Sequence, residues 1–326
     1  MQQLSGNNAK RILLIATSHV GNNIFCTPAI MLLIKHLPEA HIGVIVTSKR
    51  GASVFSENTA IKSIYISPSI RKLRQIAKNY DLAIGLHASS DVTNYCDKIT
   101  IPCIKLWDVS SSDEKAKHRA ENKLRAMQIV LNCPITDTDR HYELGVQQSH
   151  LDRAIKLLKK NAHDRTRIVG MHLGCGHTQV HGWKFFYRHR DHDPRLWPLE
   201  KYIELAHFLH EARSDIRLVI TGTFAEKFMA KKMMKSVPDI VNLIGKTSLQ
   251  VMAAAIQTMD AYVTQDTGAL HVASATTVPM VCLFGPSDPD ETGPYPKRDN
   301  QIILKESVIA DIEPTDVGKE ILKLLA

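Results

Sequence analysis

Short, unbroken apolar runs, each followed by a turn and a stretch of helical length, recur along the whole chain. The first is Ile12-Leu13-Leu14-Ile15 within 11–16, followed by a glycine-containing turn and an apolar segment over 28–37. Runs that are apolar at every residue, rather than at alternate ones, suit strands buried on both faces of a parallel sheet. Similar runs predict strands at 42–47, 61–66, 82–86 and 99–104. A helical pattern over 149–161 then ends in the polar run Asn161-Ala162-His163-Asp164-Arg165, and the series restarts. Its second half predicts strands at 168–173, 216–221, 260–264 and 280–284, with helices at 199–211, 225–237, 249–257 and 269–275. The pattern is α/β: two doubly wound, Rossmann-like halves, expected to face each other across a cleft.

At 326 residues the chain exceeds what a single core usually supports. The expected domains are 1–160 and 161–326, with a final helix over 314–325 that can pack back on the first. Hydrophobic residues at 44% and charged residues at 23% are those of a soluble globular protein. No run of eighteen apolar residues occurs, and the first residues lack the pattern of a secretory signal. Six cysteines without a Cys-x-x-Cys pair argue against a disulfide framework, so a cytoplasmic location is expected. Charge is uneven: residues 1–160 hold 22 Lys and Arg against 13 Asp and Glu, whereas 161–326 hold 19 against 20. A basic first half suits anionic partners, although a merely solvated basic face remains the plain alternative.

Four segments of the second half carry the chemistry. After the strand at 260–264, Gln265-Asp266-Thr267-Gly268 leads into a helix beginning at Ala269 and bearing His271. Backbone N–H groups there can hold an anion at the carboxyl end of a parallel strand, or Asp266 and Thr267 can simply cap the helix. Leu173-Gly174-Cys175-Gly176-His177 is a second phosphate-type loop, or an ordinary glycine turn. Thr221-Gly222-Thr223-Phe224-Ala225-Glu226 offers a carboxylate for ribose hydroxyls, or for the positive end of a helix dipole. Phe284-Gly285-Pro286-Ser287, followed by Gly293-Pro294, is a turn-rich loop expected to line the site.

In this order, with Arg195-Leu196-Trp197-Pro198 between the first two strands of the second half, these segments resemble glycosyltransferase family 9, the heptosyltransferases of the GT-B fold. The most specific part is Asp266-Thr267-Gly268-Ala269-Leu270-His271-Val272-Ala273, with Pro279 and Phe284-Gly285 after it. The resemblance implies that this segment and the Gly174, Cys175, Gly176 loop hold the diphosphate and sugar of ADP-heptose. It implies that Glu226 holds the ribose, and that Arg195, where the family usually has Lys, assists the departing phosphate. At the N-terminus, Thr17-Ser18-His19-Val20-Gly21-Asn22-Asn23 looks like the family's acceptor-side glycine loop. There the family places Asp as general base, and this chain has Asn22. A neutral amide orients a hydroxyl but cannot take its proton. His19 is the nearest candidate for that role, with His87 and Asp91 further candidates, each with a plain surface or core role as alternative.

The implied activity is inverting, metal-independent transfer of a heptose or related sugar from an ADP-sugar to a lipopolysaccharide-core-type acceptor, with no cofactor. The alternatives are an impaired nucleotide-sugar-binding protein on the same fold, or a transferase using another nucleotide sugar. His177, His181, His189 and His192 show no helical His-x-x-x-His spacing, which argues against a metal. The basic segments Arg71-Lys72-x-Arg74 and Lys115-x-Lys117-x-Arg119 lack any nucleic-acid module, so nucleic acid is not expected. An anionic glycolipid acceptor and the inner membrane face, met peripherally, fit these segments better.

Overall fold

The structure, a computed structural model, describes residues 10–109, 117–159, 167–174 and 196–326. The chain divides into two compact units, Met1–Gly145 and Val146–Ala326.

The first unit is built on a parallel sheet of β1 (Arg11–Ala16), β2 (His41–Val46), β3 (Ile61–Ile66), β4 (Leu82–Gly85) and β5 (Cys103–Lys105). Their order is β3-β2-β1-β4-β5, so the winding reverses between β1 and β4. Central β1 is buried from Ile12 to Ala16, as its unbroken apolar run requires, while edge strand β3 is only partly buried. The expected strand at 99–104 is displaced: Pro102 interrupts it, and only Cys103–Lys105 pairs, in register with β4.

The second unit contains β6 (Arg167–His172), β7 (Ile216–Thr221), β8 (Val241–Asn242), β9 (Ala261–Gln265), β10 (Met280–Phe284) and β11 (Gln301–Lys305). All are parallel, in the order β11-β10-β9-β6-β7-β8. Counted from β6, this is the dinucleotide-type order 3-2-1-4-5-6, with the reversal between β6 and β9. The expected helix at 225–237 begins as a 3₁₀ turn, Phe224–Glu226, before the α-helix Lys227–Ser236.

The boundary lies earlier than the polar run at 161–165 suggests. Helix Gln148–Lys159 packs on helix Leu249–Gln257, which brings it into the second unit. The final helix, Pro314–Leu324, packs on helix Leu199–Ala212 and on β9 and β10, within the second unit. Val317 and Ile321 of that helix are fully buried in the same core as Trp197 and Tyr202. No helix among the described residues is long and apolar enough to cross a membrane.

Candidate functional site

Because the strands of the second unit are parallel, the segments after β6, β7, β9 and β10 all leave the same edge of the sheet. Those after β6 and β9 emerge side by side at the reversal, where open α/β sheets bind their ligands. Gln265, the fully buried last residue of β9, fixes the arrangement. Its Nε2 donates to the Gly174 carbonyl at 2.8 Å, and its Oε1 accepts the Trp197 backbone N–H at 2.7 Å. Trp197 is itself buried and donates from Nε1 to the Ile312 carbonyl at 3.1 Å, so the segment after position 195 is held against the core.

Beyond Gln265, Asp266 is half-buried; its N–H donates to the Leu283 carbonyl at 3.2 Å, and its Oδ2 accepts from Thr292 Oγ1 at 3.3 Å. Thr267 caps helix Gly268–Ser274, its hydroxyl accepting the Ala269 N–H at 3.3 Å. A capping Thr267 and a half-buried Asp266 therefore stand side by side at one strand end. His271 is 4% exposed and Ala269 5% exposed, so of the residues expected to face a ligand these two lie largely beneath the surface.

Glu226 is 1% exposed. Its Oε2 accepts from the Thr223 N–H at 2.6 Å and from the Thr223 hydroxyl at 2.7 Å, which closes a capping box around the turn after β7. The same carboxylate lies against Gly174, where an added Cβ would stand 2.6 Å from Oε1. Gly174 is thus required by close approach. Glu226 joins the segments after β6 and β7 from below.

A buried polar chain underlies this edge. His172 Nδ1 lies 3.1 Å from Thr221 Oγ1, which lies 2.6 Å from the Tyr262 hydroxyl, and Tyr202 donates to the His172 carbonyl at 2.7 Å. Burial alone pushes the His172 imidazole down to about 4, and burial pushes the Tyr262 phenol upward against the opposing hydrogen bond with Thr221. Separately, an open groove of about 520 Å³ at the ends of β10 and β11 is lined by Gly285, Pro286, Lys305, Glu306 and Ser307. Cys175, Gly176, Arg195 and the histidines at 177–192 lie outside the described residues. Among the described residues no group of His, Cys, Asp or Glu side chains could hold a metal ion.

In the first unit the segments after β1 and β4 likewise emerge at the reversal. Asn23, not Asn22, ties the first of them: its Oδ1 accepts the Thr17 N–H at 3.1 Å, and its Nδ2 donates to the carbonyls of Thr17 at 2.8 Å and Gly51 at 3.2 Å. Asn22 is half-buried, and His19 is exposed, its Nδ1 3.2 Å from the Ser18 hydroxyl. Cys26 links the two segments, its thiol donating to the carbonyls of Asn22 at 3.2 Å and Leu86 at 3.7 Å.

Asp91, in the first turn of helix Ser90–Lys98, accepts from Thr47 Oγ1 at 2.6 Å and the Val92 N–H at 3.0 Å. Burial pushes its carboxyl up, but hydrogen bonds from Ser89, Thr47 and backbone N–H groups outweigh this and hold it below its ordinary value. His87 is pushed down to about 4 by burial and by the charges of Lys123 and Arg119, with Asp91 opposing. Its Nδ1 is buried without a hydrogen-bond partner among the described residues. The second-unit clamp through Gln265 and the Asn23 ties carry no sequence periodicity; Gln265 is marked only by its place at the end of β9, and Asn23 only by its place in the short helix Val20–Ile24 after β1.

Residues 185–321 match the profile of Glycosyltransferase family 9 (heptosyltransferase). Among curated proteins, the chain is 28% identical over 127 residues to lipooligosaccharide heptosyltransferase 2 of Haemophilus influenzae, covering 37% of this chain and 36% of that protein. It is 25% identical over 186 residues to lipopolysaccharide heptosyltransferase 1 of Salmonella typhimurium, covering 55% of this chain and 58% of that protein. The matched stretches thus span well under two thirds of these relatives. The fold follows that of the solved Escherichia coli ADP-heptose lps heptosyltransferase II, with a TM-score of 0.75 at 21% identity over 97% of this chain and 98% of that one. Both units are therefore those of the GT-B fold. Through residues 185–321 of its C-terminal half, the chain is thus similar to glycosyltransferase family 9, the heptosyltransferase family.

Proposed function

We propose that the protein transfers a heptose or related sugar from an ADP-linked donor to a lipopolysaccharide-core-type acceptor, with inversion and without a metal. The relatives' names support the reaction class, and one observation carries its location: Gln265 joins the Gly174 segment to the strand end that presents Asp266 and Thr267, at the reversal of the sheet. The donor diphosphate occupies this edge, and its developing charge is met by backbone N–H groups of the 267–269 turn, by the glycine loop after β6 and by Arg195. Glu226, whose carboxylate caps the turn after β7 and packs on Gly174, is the candidate for the ribose.

An inverting displacement at the anomeric carbon also needs a group that takes the acceptor hydroxyl's proton. Asn22 cannot, which leaves His19, His87 and Asp91 at the reversal of the first sheet. The same Asn22 favours a second reading, a nucleotide-sugar-binding protein without turnover. Exposed Arg71, Lys72 and Arg74 on helix Ile70–Ala77 support a cytoplasmic protein that meets an anionic membrane face or glycolipid. Thermal unfolding with a panel of ADP-, UDP- and GDP-sugars, followed by a transfer assay with the stabilising donor, tests both readings. Stabilisation by ADP-sugars with transfer supports the enzyme, stabilisation without transfer supports the binding protein, and no stabilisation overturns both.

A further inference from the structure

Phe224 is the most exposed of the large hydrophobic residues described, at 63%. A single exposed aromatic requires no explanation by itself, but its position does. It sits in the turn after β7, two residues before Glu226. The chain after β8 runs beside this turn beyond the strand ends: the Leu243 N–H donates to the Ile220 carbonyl at 2.9 Å, and the Gly245 N–H to the Gly222 carbonyl at 3.0 Å. Gly245 adopts φ +69°, and an added Cβ would stand 3.3 Å from Phe224 Cα, so this turn is pressed against the Phe224 backbone. The Lys227 ammonium lies 4.0 Å from the ring centroid, a cation–π contact that holds the ring while most of the residue stays open.

Strand order gives the position its meaning. A diphosphate at the end of β6 places the ribose next to it, past the end of β7 where Glu226 lies, and the base one group further, toward β8. Two strand spacings cover about 10 Å, the reach of a nucleoside diphosphate. We propose that Phe224 is the platform on which the donor's nucleobase stacks, an inference that rests on the nucleotide-sugar reading above. Stacking on an aromatic face is tolerant of base identity, so the platform supplies affinity for a nucleoside diphosphate rather than a choice among bases.

The test measures binding of ADP and of inorganic pyrophosphate, which carries no base, to the full chain and to Phe224→Ala and Phe224→Trp. Phe224→Ala should lose about ten- to a hundredfold in ADP affinity with pyrophosphate affinity unchanged, and Phe224→Trp should retain ADP binding. An ADP affinity unchanged in Phe224→Ala overturns the platform and leaves the donor-site reading standing. Equal losses for ADP and pyrophosphate also overturn it, since they reveal a scaffold role. A parent protein that binds neither ligand overturns the platform and the donor-site reading together.

Discussion

Gln265 and Gly174, 91 residues apart in sequence, meet through a 2.8 Å hydrogen bond from the buried Gln265 amide to the Gly174 carbonyl. The other end of the same amide holds the Trp197 N–H, so one side chain registers three segments of the candidate donor site. Gln265→Leu abandons a buried carbonyl and a buried N–H, at about 1–3 kcal/mol for each. Urea unfolding should show the loss, and ADP binding should weaken with it. A variant as stable as the parent would mean that neighbouring groups replace the clamp.

Asp266→Ala should weaken ADP-sugar binding with little change in unfolding midpoint, since the half-buried carboxylate lies just past the end of β9 rather than in the core. Glu226 requires a gentler change. Glu226→Ala removes the capping box and costs about 1 kcal/mol of stability, whereas Glu226→Gln keeps an acceptor for the Thr223 N–H. Isothermal titration with ADP on the Gln variant isolates the ribose contact. Unaltered affinity in both Asp266→Ala and Glu226→Gln would remove these residues from the donor site.

Three substitutions separate the acceptor-side possibilities. If His19 takes the proton, His19→Ala should lower turnover about 10²–10⁴-fold with donor affinity preserved. If Asp91 does, Asp91→Asn should show that loss instead, the amide still accepting from Thr47. If the Asn22 position has lost its chemistry, Asn22→Asp should raise transfer above the parent level. Single-turnover rates for the set decide among them, and a rate indifferent to all three changes would exclude every one of these groups.

The buried imidazoles make stability depend on pH. His172 in the folded chain is pushed from 6.5 to about 4 by burial. Between those values the unfolded chain binds a proton that the folded chain refuses, so stability present above pH 6.5 is lost as pH falls toward 4. The loss is about 1.4 kcal/mol per pH unit for one such group, and His87 acts in the same direction. His172→Gln should flatten the decline measured by urea unfolding between pH 7 and 4.5. Equal slopes in variant and parent would place the acid sensitivity elsewhere.

The ends of β6, β7 and β9 were legible because each combines an unbroken apolar run with an immediate glycine or polar turn, a signal contained within a few residues. β8 was not, since two residues cannot display a period, nor was β11, whose partly buried edge residues blur the pattern. The unit boundary was misplaced because helix Gln148–Lys159 shows its attachment only through its partner helix about a hundred residues later. Glu226 illustrates a different limit. Its sequence position suits a ribose ligand or the positive end of a helix dipole, and only its hydrogen bonds with Thr223 show that it closes a capping box.

The three hydrogen bonds of Asn23 have a kinetic consequence for the first unit. Because they fix the 17–23 segment in the folded chain itself, the entropy of ordering that loop is lost during folding rather than on ligand capture. Acceptor association should accordingly be single-phase, without a slow rearrangement. Asn23→Ala should transfer the ordering penalty to the binding step, appearing as a slower on-rate and a more unfavourable binding entropy while the hydroxyl-facing side chains remain the same.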